Sequence, residues 1–422
     1  MLRFQKMEQQ KILIIGLVWP EPASSAAGTR IVQLIKLFHN KGYDISFASA
    51  ASKSEFSYDL KALQVKEYPI KLNDSGFNEL IKILRPDIVI YDRFMVEEQY
   101  GWRVHQECPG TLKILDTEDL HFLRQARQQA IKTGYTNLYS DLAKREIAAI
   151  LRCDLSLIIS EMEMILLKEQ FRIDPSLLYY LPFLEEEVTE VKVKNWKNFE
   201  EREGFTFIGN FLHEPNWHTV QVLKTKIWPL LRKKIQGAGL HIYGAYPSQK
   251  VTQLHNAKEH FYVHGRAKDA REAIEKHRIL LAPIQFGAGV KGKFIDAMQT
   301  GTPSVTTSVG AEAMKGSLDW NGAIEDQEEN FIQKAVQLYQ NKELWTQARE
   351  NGISILNQRY ANERYGMELI KTLQDLSAKL DLHRQHNFIG QILQQQSLNS
   401  TKYMSLWIEE KMRLNPGEEH KN

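Results

Sequence analysis

Short apolar runs alternate with amphipathic stretches along the first half of the chain. Continuous apolar runs predict buried strands at residues 11–18, 44–50, 86–92, 112–115, 155–160 and 179–183. Between them, apolar side chains at three- and four-residue spacing predict helices at 29–40, 77–84, 95–106, 137–152 and 161–170. Repeated alternation of strand and helix predicts a parallel sheet with helices on both faces.

The same alternation begins again after a charge-dense stretch. Residues 185–203 are polar with little periodicity, which is typical of a linker between domains. Strands are then predicted at 205–210, 240–244, 261–265, 279–284 and 304–308, with helices between them. Beyond residue 322 the pattern is mainly helical, with helices at 327–339, 342–358 and 362–380. We therefore predict an α/β protein with domains at 1–190 and 204–360 and a helical extension at 361–422.

The composition of the chain argues against several classes of protein. The chain has 422 residues, 43% of them hydrophobic, and a formal net charge of +2, so no strong field attracts it to nucleic acid. Its 2 cysteines argue against a disulfide scaffold or a cysteine-built zinc site, and we expect no disulfide partners. The polar N-terminus lacks a signal-peptide core, and no apolar run reaches the roughly 18 residues that span a bilayer. These features predict a cytoplasmic protein, at most peripheral on the inner face of a membrane.

A glycine-containing turn follows the predicted strand at 279–284 and leads into a helix. Backbone N–H groups at such a turn and at the following helix N-terminus can bind an anion, because no side chain blocks their approach. Lysines at this end oppose the helix dipole, so an anionic ligand explains them better than helix stability does. A solvated lysine-bearing turn is the alternative. The candidate residues are Phe286, Gly287, Ala288, Gly289, Val290, Lys291 and Lys293.

This segment, continued through Gly301, Thr302 and Pro303, resembles the donor-binding segment of family 4 glycosyltransferases, which have the two-domain GT-B fold. That family carries two acidic residues eight positions apart. Asp296 occupies the second position, which implies a contact with the ribose of a nucleotide, and Ala288 stands at the first. The resemblance implies that Lys291 and Lys293 hold the diphosphate of a nucleotide-sugar donor, with Lys291 acting in catalysis. It also implies that residues 362–380 cross back onto the N-terminal domain.

The resemblance adds candidates in both predicted domains. Charged residues follow two strands of the first domain, at Asp92 and Arg93 and again at 116–121. The second group resembles the family's D-x-H-D segment with a glutamate in place of the histidine, which makes Glu118, Asp119 and His121 catalytic candidates. Capping of a helix by Asp116 is the alternative there. By the same resemblance, the candidates for donor binding also include Gly28, Arg30, Gly209, Asn216 and Arg266.

Three functions remain open at this stage. The first is a retaining hexosyl transferase that moves a sugar from a nucleotide diphosphate to an unidentified acceptor, which can be a lipid-linked saccharide, a protein, a nucleic acid or a small metabolite. No cofactor is implied beyond the donor substrate, and without a D-x-D signature no metal ion is required. The alternatives are a nucleotide-sugar epimerase and a non-catalytic nucleotide-sugar binding protein, the latter favoured by Ala288. The tail at 383–422 packs on the first domain, or binds an acceptor, a partner or a membrane surface.

Overall fold

The computed structural model describes residues 9–395, together with residues 403 and 407. The first domain contains a seven-stranded sheet, with strands β1 (Lys11–Gly16), β2 (Asp44–Ser49), β3 (Lys66–Pro69), β4 (Ile88–Asp92), β5 (Leu112–Asp116), β6 (Leu155–Ile158) and β7 (Leu178–Tyr180). Its order is β3-β2-β1-β4-β5-β6-β7, and every pair is parallel. The helices of this domain are α1 (Ala26–Asn40), α2 (Gly76–Leu84), α3 (Phe94–Glu107), α4 (His121–Thr133), α5 (Asp141–Arg152) and α6 (Glu161–Glu169).

Hydrophobic burial on both faces explains why the central strands form. Ile12, Leu13, Ile14 and Ile15 of β1 are almost fully buried, and they alternate between two hydrophobic clusters on opposite sides of the sheet. The register places Ile12 opposite residues of both neighbouring strands, β2 and β4. Central strands of a parallel sheet bury both faces, which is why the sequence shows apolar runs instead of alternation.

The second domain has a six-stranded parallel sheet of order β10-β9-β8-β11-β12-β13. Its strands are β8 (Phe205–Ile208), β9 (Leu240–Tyr243), β10 (Phe261–Gly265), β11 (Ile279–Ala282), β12 (Ser304–Thr306) and β13 (Gly322–Ile324). After the short linker helix α7 (Glu190–Lys194), its helices are α8 (Glu214–Val222), α9 (Trp228–Lys234), α10 (Gln249–Thr252), α11 (Ala270–Glu275), α12 (Gly292–Gln299), α13 (Ser308–Ala311), α14 (Glu328–Gln340) and α15 (Lys342–Arg359). A π-helical segment, Leu223–Ile227, joins α8 to α9.

The chain returns to the first domain after α15. The backbone N–H of Asn362 donates to the carbonyl of Glu185 at 2.9 Å, where the outgoing and returning segments meet. Helices α16 (Asn362–Ala378), α17 (Leu380–His386) and α18 (Phe388–Gln394) follow. Leu369, Ile370 and Leu373 of α16 join one of the first domain's hydrophobic clusters, while Arg384 donates to Asp154 and Asn387 to the carbonyl of Leu151, so these helices pack on the N-terminal domain. Residues 396–402, 404–406 and 408–422 of the predicted tail lie outside the described residues.

The prediction of two parallel-sheet domains with a helical C-terminal region is confirmed, but several elements differ from it. Two edge strands, β3 and β13, were not predicted, because neither carries an apolar run and both are largely half-exposed or exposed. The helix predicted at 137–152 begins at Asp141, with Ser140 as its N-cap. A separate helix, α4, was missed at 121–133, where glutamines and arginines obscure the apolar face.

Candidate active site

A cleft of about 360 Å³ lies between the carboxyl ends of the two sheets. The first domain contributes the loop after β1 and the loop after β5, and the second contributes the loops after β8 and β11. Ligands of open parallel sheets bind beyond the carboxyl ends of the strands, where the connecting loops supply polar groups. Fold topology therefore places this cleft where a ligand is expected.

Two helix N-termini converge on the cleft. Ser25 caps α1 by accepting a hydrogen bond from the N–H of Gly28, and α12 begins at Gly292. A Cβ added at Gly292 would lie 2.8 Å from the Cβ of Ala26, so glycine permits this close approach of the two helices. Free N–H groups and the positive dipole ends of both helices then favour an anion between them.

The glycine turn ahead of α12 is shaped by the neighbouring domain. Gly289 has φ 62°, in the left-handed region that favours glycine. A Cβ at this position would lie 2.8 Å from the Cβ of Asp119, across the interdomain boundary. Phe286, Gly287, Ala288 and Val290 line the cleft, whereas Gly289 lies behind it against the first domain.

Both predicted lysines line the cleft, and burial weakens their basicity. The ammonium group of Lys293 donates to Asn216 Oδ1 at 2.6 Å and lies 4.4 Å from the ring centroid of Phe207. Burial lowers the pKa of Lys293 to about 7, and the charge of Lys291 contributes to the shift. Burial lowers the pKa of Lys291 to about 8, against the opposing effect of the Glu312 carboxylate. An anion between the helix N-termini would reverse both shifts.

Gly209 and Asn216 belong to the same arrangement. A Cβ at Gly209 would lie 2.7 Å from the side-chain carbon of Asn216, so glycine makes room for that amide. Asn216 Nδ2 donates to the carbonyl of Asn210 at 2.8 Å, which leaves Oδ1 directed at Lys293. The loop after β8 thus orients one of the two lysines.

Three acidic or basic side chains predicted at the end of β5 also line the cleft. Glu118 has φ 62° and is 8% exposed, and within the described residues its Oε1 has no hydrogen-bond partner. Burial and the neighbouring Asp116 raise the pKa of Glu118 well above its ordinary range. Asp119 accepts from Arg124 at 2.6 and 2.7 Å, and His121 Nε2 lies 3.6 Å from its Oδ1. Burial lowers the pKa of His121 to about 4, so this imidazole is neutral at neutral pH.

Asp296 lines the cleft with one carboxylate oxygen already engaged. Arg271 Nε donates to Asp296 Oδ1 at 2.9 Å, while its Nη2 donates to Glu185 Oε2 at 2.9 Å. Glu185 in turn accepts from Gln33 of the first domain at 2.8 Å. Asp296 is therefore held in place from the linker, with its second oxygen available to a ligand.

Four predicted donor-binding residues do not line the cleft in this structure. Arg30 is 1% exposed, and its guanidinium donates to Asp116 at 2.9 Å and to the carbonyl of Leu181 at 2.9 Å. It therefore joins α1 to the ends of two strands of the sheet and does not face a ligand. Gly28 faces the backbone of Glu21. Arg266 lies over the ring of Phe56, 3.4 Å from its centroid. Gly289, the fourth, contacts the first domain as described above.

Three basic residues join the cleft that were not among the predicted site residues. Arg93, noted only as a charged residue after β4, lines it 3.7 Å from Asp92. Arg124 lies on α4, so the missed helix also concealed this residue. His213 lies in the turn after β8, where the sequence favoured a simply exposed histidine over a donor contact, and it lines the cleft. The positions of Arg93 and His213 beyond predicted strands were the signals that the sequence offered.

Across residues 9–395, 403 and 407, no three histidine, cysteine or acidic side chains form a group suited to a metal ion. None of the helices within these ranges has the length and apolar character needed to cross a bilayer. Both cysteines, Cys108 and Cys153, are free thiols.

Comparisons with known proteins agree with this architecture. Residues 202–341 match a family model described as glycosyl transferases group 1. No match was found among curated proteins. Solved structures resemble most of the chain, and the likeness shows the GT-B fold.

Three of these structures illustrate the range. Sucrose-phosphate synthase from Thermosynechococcus elongatus is 12% identical with a TM-score of 0.65, over 88% of this chain and 100% of that one. HepE from Anabaena, in complex with UDP and glucose, is 12% identical with a TM-score of 0.61, over 87% and 100%. A TarM mutant from S. aureus, in complex with Fondaparinux, alpha-GlcNAc-glycerol and UDP, is 15% identical with a TM-score of 0.56. That match covers 70% of this chain, and the chain spans 58% of the length of the TarM mutant.

Proposed function

We propose that this chain, a GT-B protein with a glycosyl transferases group 1 match at residues 202–341, transfers a sugar from a nucleotide diphosphate to an acceptor hydroxyl. One observation carries the proposal. Two lysines and the N-termini of α1 and α12 surround one end of an interdomain cleft, with the glycine turn between them. Such an arrangement suits a diphosphate that becomes more negative as it leaves the sugar.

The donor would bind mainly to the second domain. Lys291, Lys293 and the first N–H groups of α12 would hold the diphosphate, and the free oxygen of Asp296 would accept from the ribose hydroxyls. Arg271 already bonds the other oxygen of Asp296, which keeps that carboxylate oriented before a ligand arrives. Stabilising the leaving diphosphate is then the main catalytic contribution of the protein, with Lys291 as its principal residue.

The acceptor would enter from the side of the first domain. We infer a front-side reaction that retains anomeric configuration and uses no protein nucleophile. The acceptor oxygen forms the new glycosidic bond as the bond from sugar to phosphate oxygen breaks, and the acceptor proton moves to the departing diphosphate. The raised pKa of Glu118 favours its protonated form, which would donate a hydrogen bond within the cleft, while Asp119 and His121 would accept from substrate hydroxyls.

Uridine diphosphate sugars are the first donors to test, because the structures of HepE and of the TarM mutant contain UDP. The experiment incubates the full chain with UDP-, GDP- and ADP-glucose and with UDP-N-acetylglucosamine, and follows thermal stability, nucleotide release and the fate of the sugar. Stabilisation by one nucleotide family, with slow release of its diphosphate, supports the proposal. Isomerised donor without release would indicate an epimerase, and stabilisation without turnover even with candidate acceptors would indicate a binding protein. Absence of any response would refute donor binding.

A further inference from the structure

The first domain holds the glycine turn of the second domain from two sides. Glu163 of α6 and Arg127 of α4 contact the backbone on either side of Ala288, at Gly289 and Gly287. These two contacts span 126 and 160 residues of sequence, and both cross the interdomain boundary. Neither residue was predicted as part of the site, and neither lines the cleft.

Glu163 joins the two loops that face each other across the cleft. Its Oε1 accepts from the N–H of Leu120 at 3.1 Å and from the N–H of Gly289 at 2.8 Å. The side chain is 1% exposed, and among described residues its Oε2 has no hydrogen-bond partner. One carboxyl oxygen thus fixes the loop after β5 relative to the turn before α12.

Arg127 makes the second contact as part of a bidentate ion pair. Its Nη1 donates to the carbonyl of Gly287 at 2.8 Å and to Glu312 Oε2 at 2.6 Å, and its Nη2 donates to Glu312 Oε1 at 2.8 Å. Both side chains are mostly shielded, at 25% and 19% exposure. Paired, fork-like hydrogen bonds of this kind fix orientation as well as position.

We propose that Glu163 and Arg127 are positioning residues that place the Gly287–Gly289 turn for donor chemistry only when the two domains are closed. The inference rests on the proposed function for its catalytic part, since the turn would face the sugar and diphosphate of the donor. Both of these side chains belong to the acceptor-side domain. Glu163 and Arg127 therefore couple domain closure to the geometry of the turn before α12, and Glu163 also couples it to the loop after β5.

Closure also sets the surroundings of Lys291. The ammonium group donates to the carbonyl of Gly289 at 2.9 Å, so a displaced turn displaces the lysine. Glu312, Glu163 and Asp119 all act electrostatically on Lys291, and the last two reach it from the first domain. A turn released from the first domain would change the position of Lys291 and would remove Arg127, Glu163 and Asp119 from its surroundings.

The first test needs no substrate. Amide hydrogen exchange is measured across residues 286–292 in the wild type, Glu163→Ala and Glu163→Gln. The glutamine carbonyl can still accept both N–H groups, so Glu163→Gln should keep wild-type protection, whereas Glu163→Ala should speed exchange at Gly289 by roughly 10- to 100-fold. Glu169→Ala, at the exposed end of the same helix, is the control and should change nothing there. Unchanged protection in Glu163→Ala, or equal loss in both variants, would overturn the proposal.

The second test follows nucleotide release and transfer with the donor identified by the panel above. Glu163→Ala and Arg127→Ala should lower kcat roughly 10- to 100-fold, with the donor KM changed by less than about threefold, and Glu163→Gln should restore kcat. Arg127→Ala and Glu312→Ala should each lower kcat, and the double variant should lose little more than either single one. Arg145→Ala, which removes a bidentate pair with Glu98 inside the first domain, is the matched control.

The two tests separate the positioning role from the proposed function. If amide exchange is faster in Glu163→Ala but the wild type turns over no donor, the positioning role of Glu163 at the turn is kept and the transferase is refuted. If the wild type turns over donor but Glu163→Ala shows unchanged amide exchange, or if the variants differ from the wild type only in KM, the positioning role is refuted and the transferase is kept. Melting temperatures within a few degrees of the wild type confirm that the variants are folded.

Discussion

Donor binding should draw protons into the cleft, because the two lysines are only partly charged without a ligand. The pKa of Lys293 is lowered to about 7 and that of Lys291 to about 8, in both cases mainly by burial. A diphosphate favours the charged ammonium forms, so binding raises both pKa values. Affinity should therefore fall as the pH rises through the ligand-free pKa values, since each lysine must first regain its proton.

The magnitude follows from those two pKa values. At pH 7, about half of Lys293 is unprotonated, and at pH 8 about nine-tenths, together with about half of Lys291. Binding at pH 8 should then take up about 1.4 protons when both lysines become fully charged. Between pH 7 and pH 9, deprotonation of Lys293 alone should weaken donor binding by about 50-fold.

Isothermal titration of a nucleotide sugar in buffers of different ionisation enthalpy measures this uptake directly. Lys293→Met should remove about 0.9 of the protons taken up at pH 8 and flatten the pH dependence of affinity. Lys224→Met is the control, because Lys224 also lies over a phenylalanine ring, 4.6 Å from the centroid of Phe261, but outside the cleft. Buffer-independent heats in the wild type, or equal uptake in Lys293→Met, would refute the assignment of this lysine to the diphosphate.

Three further predictions address the site and the tail. Lys291→Ala should lower kcat by a factor equivalent to about 2–4 kcal/mol if Lys291 stabilises the leaving diphosphate, and unchanged kcat in single-turnover assays would exclude that role. Asp296→Ala should raise the donor KM by roughly tenfold, as expected when a charged hydrogen-bond partner is lost, and an unchanged KM would place the ribose elsewhere. Arg384→Ala removes hydrogen bonds to Asp154 and to the carbonyl of Thr111, so α17 should exchange its amides faster while nucleotide binding is unchanged; equal exchange would show that other contacts hold the helix.

The sequence predicts the two sheets well because their central strands are buried on both faces. The strong signals at β1, β4 and β11 come from runs of aliphatic residues that have no other satisfactory location. Edge strands lack that requirement, and β13 has only three residues, all half-buried. Its pairing with β12 is decided by backbone hydrogen bonds that leave no trace in the pattern of side chains.

The site divides in the same way between local and long-range features. The turn and the lysines are local, since strand, glycines and helix follow one another within about 20 residues, and the sequence predicted their joint position in the cleft. Arg30 shows the opposite case. A basic residue in a cleft loop suggested a ligand contact, but the carboxylate that binds it, Asp116, is 86 residues away and was interpreted as a helix cap or a cleft residue. Ion pairs between residues so far apart in sequence depend on the three-dimensional fold, whereas the sequence pattern predicts only the order of the strands and helices.

Ala288 shows how the closed cleft changes the interpretation of a missing acid. The resemblance places a sugar-binding glutamate at this position, and its absence favoured a binding protein. In the structure, Ala288 lies between the two backbone groups held by Glu163 and Arg127, and it lines the same cleft as Glu118 and Asp119. Glu163 does not take the place of the missing side chain, because it does not line the cleft. Hydrogen bonding to the donor sugar would then fall to Glu118 and Asp119 of the first domain, so that the sugar is held fully only after the domains have closed.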